Sequence, residues 1–186
     1  MEDSVIIDLY WSRDEQALLE SDRKYGKLCR TVAYNILHNT EDTEECVNDT
    51  WLRAWNAMPP GRPGVLSAFF SRITRNLSLD RYKASRAEKR GGGQMPAALE
   101  ELGDCIPAEA AVEEELAFRE LTRLLDGFLR ELPEKECCIF LRRYWYVDST
   151  RDIARRYGMP EGSVKSQLSR TRQKLRKALE REGVKV

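Results

Sequence analysis

Ser149-Thr-Arg-Asp-Ile-Ala-Arg-Arg-Tyr-Gly158-Met-Pro-Glu-Gly-Ser-Val-Lys-Ser-Gln-Leu168 is the stretch whose spacing decides the fold. Ile153, Ala154 and Tyr157 mark one face of a short helix. Ser149 is placed to cap it, with Asp152 three residues on as in a capping box. Ala154 is small, as the close crossing of two helices requires. Gly158 follows four residues later and can take the left-handed conformation that ends a helix sharply. Pro160 can start the next helix, and Val164 and Leu168 then pack back onto the first. A small residue, a glycine and an apolar residue at these offsets predict a helix-turn-helix. On its second helix Ser163, Lys165, Ser166, Gln167, Ser169 and Arg170 are shared between the exposed face and its flanks, and Arg172, Lys174, Arg176 and Lys177 extend the charge. Lysine and arginine neutralise phosphates, and arginine or glutamine can read base edges in the major groove.

Working outward, helical spacing recurs throughout the chain and strand signals are almost absent. The expectation is an all-α protein of two small helical domains, 1–87 and 113–186, joined by a flexible linker over 88–112. Leu28, Val32, Ile36 and Leu37 fall at helical spacing. Asn39 and Thr40 offer caps to a following helix that opens with Glu41, Asp42, Glu44 and Glu45, where the helix dipole favours negative charge. That helix runs through Val47, Trp51 and Trp55 and stops at Pro59-Pro60-Gly61. The two tryptophans, four apart, are expected in the core. Leu66, Phe69, Phe70, Ile73, Leu77 and Tyr82 form the next apolar stripe, accompanied by Arg72, Arg75, Arg81 and Lys83. Gly91-Gly92-Gly93, Pro96 and Pro107 mark the linker. Pro133 suits the first position of a helix, followed by Glu134 and Glu136, with Ile139, Phe140 and Tyr144 turned inward.

The 186 residues carry 31 basic and 31 acidic side chains, and this neutrality hides a pattern. Residues 1–70 sum to −5 (7 basic, 12 acidic) and 71–90 to +5 (7 and 2). Residues 91–141 sum to −8 (4 and 12) and 142–186 to +8 (13 and 5). Two basic blocks divided by an acidic one point to two nucleic-acid contacts. The cysteines are Cys29, Cys46, Cys105, Cys137 and Cys138; their odd count and the lack of a CxxC pair argue for reduced thiols. With His38 the single histidine, no metal site is expected. No cofactor is expected either. No signal peptide opens the chain and no apolar run reaches membrane-span length, so a cytoplasmic protein without membrane insertion is expected.

Three pieces in this order resemble the extracytoplasmic-function (ECF) group of the sigma-seventy family of transcription initiation factors. Asp42-Thr-Glu-Glu-Cys-Val-Asn-Asp-Thr-Trp-Leu-Arg-Ala-Trp55 is similar to the family's core-binding helix. Phe69-Phe-Ser-Arg-Ile-Thr-Arg-Asn-Leu-Ser-Leu-Asp-Arg81 is similar to its melting and minus-ten helix. Leu129 to Leu179, with Leu132-Pro133-Glu134 and Gly162-Ser-Val-Lys-Ser-Gln-Leu-Ser-Arg-Thr-Arg172, is similar to its carboxyl-terminal promoter-binding domain.

The resemblance implies a non-enzymatic sigma factor whose partners are core RNA polymerase, promoter DNA and an anti-sigma protein. It implies polymerase contacts from Asp42, Glu45, Asp49 and Arg53. Minus-ten contacts are implied for Arg62, Arg72, Arg75, Asn76, Arg81 and Lys83, with the turn Pro59–Val65 as the rim of a pocket for a flipped base. Minus-thirty-five contacts are implied for Ser163, Lys165, Ser166, Gln167, Ser169, Arg170, Arg172 and Lys174. Asn48, Gln167 and Thr171 stand where the family often has glutamine, arginine and alanine, and a tryptophan is common near Phe69 or Phe70. These departures bear on promoter preference. An ordinary helix-turn-helix regulator would explain the second domain but not the basic block at 71–90. An enzyme is disfavoured because no phosphate-cradling loop, metal-ligand cluster or nucleophile motif is present.

Overall fold

The computed structural model describes residues 1–88, 97–103 and 115–184. Its described residues form helices and turns without a strand. The helices are α1 (Asp3–Trp11), α2 (Gln16–Leu37), α3 (Thr40–Ala57), α4 (Leu66–Glu88), α5 (Ala97–Gly103), α6 (Glu115–Glu131), α7 (Glu134–Tyr144), α8 (Thr150–Tyr157) and α9 (Glu161–Arg181). Two compact units divide the chain, Met1–Gly93 and Gln94–Val186.

In the first unit α2, α3 and α4 pack on one another and α1 closes one end. Ile6, Tyr10, Cys29, Val47, Trp51, Met58, Leu66 and Phe70 share one core. Phe70 is its hub. Its ring lies 5.2 Å from Trp51, 5.4 Å from Tyr25 and 6.4 Å from Tyr10, in the tilted and edge-on geometries aromatic quadrupoles favour. Trp51 is buried, and Trp55 is half-buried beneath the Arg13 guanidinium. Asn39 caps α3 by accepting from the backbone N–H groups of Glu41 and Asp42.

A polar seam joins α3 to α4. Cys46, Thr50, Ser71, Thr74 and Ser78 are all fully buried. The Thr50 and Thr74 hydroxyls lie 3.0 Å apart, and Cys46 Sγ lies 3.2 Å from Ser78 Oγ. Ser78 donates to the carbonyl four residues back, and Thr50 and Thr74, with one hydroxyl proton each, share theirs between that carbonyl and one another, so these buried hydroxyls are satisfied while small side chains let the helices approach.

In the second unit α7, α8 and α9 enclose Ile139, Phe140, Tyr144, Ile153, Val164, Leu168, Leu175 and Leu179, with Phe128 of α6 edge-on to Phe140. The turn chemistry is as the residues predict. Ser149 accepts from the Asp152 N–H at the start of α8. Gly158 closes α8 at φ 60 and ψ 39, donating its N–H to Ala154. Pro160 and Pro133 each stand one residue before their helix, at the cap, rather than at its first position.

One part of the predicted linker is ordered. Residues 97–103 form α5, which packs on α7 and buries Ala98. The glycine and proline breakers flank this segment and leave its own Ala-Ala-Leu-Glu-Glu-Leu run helix-competent. Gly91-Gly92-Gly93, Pro96 and Pro107 lie outside the described residues.

Candidate polymerase and nucleic-acid interfaces

The four residues singled out for polymerase binding sit on α3 at three- and four-residue spacing, so one side of the helix presents them. Glu45 and Arg53 are exposed, and Asp42 and Asp49 half-buried. Leu52, on the same side, is 59% exposed, an apolar group standing among charges.

Arg81 changes the reading of this face. Its guanidinium reaches back from α4 to Glu45 at 2.7 Å and Asp49 at 2.9 Å. The hydrogen bond from Arg81 holds the Glu45 carboxyl below its ordinary range. Arg81, predicted to contact DNA, thus ties α4 to two residues predicted to contact polymerase. Arg75 is also turned inward, and burial lowers the pKa of its guanidinium. Arg72, Asn76 and Lys83 are exposed and share one stripe of α4 by helical periodicity. Arg62, in the turn before α4, pairs with Asp8 at 2.6 Å and lies over the Trp11 ring.

On α9 the helical period sorts the eight predicted residues. Val164, Leu168, Thr171 and Leu175 are buried against the unit's core. Ser166 and Arg170 lie on the side opposite and are exposed. Ser163, Gln167 and Lys174 form one flank, where Lys174 pairs with Glu136 of α7 at 2.9 Å. Thr171, which departs from the family pattern, is buried and donates to the same Glu136 at 2.6 Å. Lys165, Ser169 and Arg172 form the other flank, where Lys165 pairs with Glu161 at 2.8 Å.

Arg172 is drawn into an internal network. It donates to Glu101 of α5 at 3.1 Å and to the Tyr144 hydroxyl at 2.5 Å. Glu101 also accepts from Arg143 at 2.7 Å and from Tyr144 at 3.1 Å. Arg143 is only 8% exposed and donates further to the Asp148 carbonyl at 3.1 Å. Burial pushes the Glu101 carboxyl up, but the bonds from Arg143 and Tyr144 and the nearby Arg172 charge outweigh it and leave the pKa lowered. Burial raises Tyr144 to about 12. Glu101, Arg143 and Arg172 line one cleft with Thr150, Lys165 and Leu168. Sequence reading singled out neither Glu101 nor Arg143. The signal available to it was the acidic block itself, set beside a basic one.

Among the described residues no group of His, Cys, Asp and Glu side chains could hold a metal ion, and no helix is long and apolar enough to cross a membrane.

An all-helical chain with one helical unit ahead of a helix-turn-helix unit is the class these features define. Residues 22–88 match the family described as Sigma-70 region 2, and residues 122–175 match Sigma-70, region 4. The ECF RNA polymerase sigma factor SigE of Mycolicibacterium smegmatis is 30% identical over 167 residues, covering 89% of this chain and 60% of that protein. The ECF RNA polymerase sigma factor SigW of Bacillus subtilis is 24% identical over 173 residues, covering 89% and 90% respectively. The RNA polymerase sigma-E factor of Streptomyces avermitilis is 26% identical over 151 residues, covering 80% and 76%. The chain belongs to the sigma-70 family, in its ECF group. It spans about 60% of the length of the SigE relative.

Proposed function

We propose that the chain is a non-enzymatic sigma factor that binds core RNA polymerase and directs it to promoters with minus-ten and minus-thirty-five elements. The observation that carries this is the order of parts: a region 2 match holding an acidic exposed helix face and then a basic one, followed by a region 4 match holding a helix-turn-helix. A regulator that worked apart from polymerase, with the first unit as a dimerisation domain, would leave the acidic side of α3 and the basic side of α4 unexplained.

In this reading the α3 side with Asp42, Glu45, Leu52 and Arg53 docks on polymerase. Charges at its rim steer association, and the exposed leucine supplies apolar contact. Arg72, Asn76 and Lys83 on α4 track the minus-ten strand, with Arg62 in the turn beside them. Capturing an unstacked base there offsets the few kcal/mol of opening the duplex. Ser166, Gln167 and Arg170 are the residues of α9 best placed to reach base edges, with Ser163, Lys165, Ser169 and Lys174 toward the backbone. An anti-sigma protein completes the proposed partners.

The test is copurification with core polymerase and transcription from a promoter selected with the holoenzyme. Asp42→Lys combined with Arg53→Glu should abolish capture of core enzyme while circular dichroism stays helical. Unchanged capture by the folded variant would sink the assignment. Arg72→Ala with Lys83→Ala should leave capture intact and reduce permanganate reactivity of promoter thymines. Normal reactivity would remove α4 from strand opening.

A further inference from the structure

The cleft between α5, α7, α8 and α9 has the chemistry of an anion site already filled by the chain's own carboxylate. Both oxygens of Glu101 take charge-assisted bonds, from Arg143 at 2.7 Å and Arg172 at 3.1 Å, and the Tyr144 hydroxyl adds a third donor. A guanidinium fork binds carboxylate and phosphate oxygens alike. The other two polar lining groups, Thr150 at the start of α8 and Lys165 on the adjoining flank of α9, are likewise held by a carboxylate of the chain, each lying 2.8 Å from Glu161, with the Lys165 side chain 62% exposed. In a helix-turn-helix the first helix crosses the DNA backbone while the second enters the major groove, so the start of the first helix and the near flank of the second meet phosphates. The N-terminal end of α8 also favours negative charge through the helix dipole, beyond the Asp152 N–H that Ser149 accepts.

We propose that α5 is an intramolecular cover on the helix-turn-helix, in which Glu101 stands where a duplex phosphate would sit between Arg143, Arg172, Thr150 and Lys165. Docking of α5 and binding of duplex backbone then exclude one another. The inference deepens the reading of α9 as the duplex-facing helix and rests on it. The cover is built to be reversible. α5 has seven residues, far below the roughly 12–15 at which an isolated helix holds its own structure in water, so its helicity depends on being docked. Among its described side chains, those that hold it are the buried methyl of Ala98, the half-buried Leu102 and the Glu101 network. Glu100, beside Glu101, is exposed and gives α5 a second negative charge without a place in the cleft.

The experiment uses the full chain and a fluorescein-labelled random-sequence duplex of about 20 base pairs, two helical turns. Anisotropy is read at several salt concentrations for the wild type, Glu101→Gln and Glu100→Gln. A protein whose competent state is only a fraction of the population binds weaker by that fraction. Release of the cover should therefore tighten binding by Glu101→Gln roughly three- to tenfold. Glu100→Gln, with the same change in net charge, should stay within about twofold of wild type, the general effect of one surface charge. In the unmutated chain, hydrogen exchange over residues 97–103 should accelerate when duplex is saturating. Equal binding by the two variants, absence of binding by both, or unchanged exchange in α5 with duplex bound would each overturn the cover. Duplex affinity insensitive to Lys165→Ala and Arg170→Ala would overturn the duplex-facing reading of α9, and the cover with it. Sensitivity to those two with indifference to Glu101→Gln overturns the cover alone.

Discussion

Gly158 and Gly162 flank the helix-turn-helix junction and should respond to the same substitutions with opposite signs. A Cβ built on either glycine meets nothing within 4 Å, so packing does not decide the outcome. The backbone does. Gly158 holds φ 60 at the end of α8, where an L side chain costs about 1–2 kcal/mol. Alanine there also restricts the unfolded chain, which returns about 0.4–1 kcal/mol, leaving a net loss near 1 kcal/mol. Asparagine tolerates the left-handed region and should lose less. Gly162 lies inside the first turn of α9 without a positive φ, so alanine should gain about 0.5–1 kcal/mol and asparagine less than alanine. Hydrogen exchange of α8 and α9 amides in the full chain reads this locally. At 1.4 kcal/mol per factor of ten, Gly158→Ala should exchange about fivefold faster and Gly162→Ala a few-fold slower. Alanine and asparagine should swap rank between the positions. Wild-type protection in Gly158→Ala, or one rank order at both sites, would show that the left-handed cap does not set the junction.

Arg170→Ala should cost about 1–3 kcal/mol at one base position of the upstream element and relax preference there, while Lys165→Ala should weaken all duplexes alike and lower the salt slope by about one unit. Binding of both variants to an upstream-element library at several salt concentrations separates the roles, and identical profiles would refute the division of α9 into face and flank. Phe70→Ala removes the ring at the centre of the first unit and should cost about 3–5 kcal/mol, visible as early unfolding of that unit in urea. Glu101 and Glu136 both have lowered pKa values, so their stabilisation is complete above the unfolded carboxylate value near 4.3 and is lost as pH falls through the folded one. The melting difference between wild type and Glu101→Gln should therefore begin to close as pH falls below the unfolded carboxylate value and vanish once the folded carboxyl is protonated, and a constant difference would refute the ionic anchoring of α5.

Signals that act over a few residues were legible in the sequence. Asn39, Ser149 and Gly158 each do their work within one helical turn, so residue type and offset suffice to place them. The α3–α4 seam was not legible, because periodicity treats Thr50, Thr74 and Ser78 as surface residues, whereas here their hydroxyls bond backbone and one another in the interior. Arg75 and Arg81 carry the same charge as Arg72 and Lys83, and only the packing of α4 on α3 separates those turned inward from those left for a partner. Glu101 and Arg172 stand 71 residues apart in sequence, and an acidic residue in a glycine- and proline-flanked stretch looks like linker until the helix that carries it is seen to dock.

The charge blocks themselves acquire a second meaning from these pairs. The net +8 of residues 142–186 first looks like a count of phosphate contacts. Yet Arg143 and Arg172 meet Glu101, and Lys174 meets Glu136, both acids supplied by the −8 block upstream. Lys165 and Arg176 meet acids one turn away on α9 itself. The acidic block therefore does more than separate two basic ones: part of it is built into the second unit, where it sets how much positive charge that unit presents. A duplex must compete with those carboxylates at the flanks of α9 before it gains the contacts, while on the outer side Arg170 feels Glu136 through space without a hydrogen bond or ion pair among the described residues. On this geometry, charge at the flanks governs whether the unit engages DNA, and the outer side governs which sequence it holds.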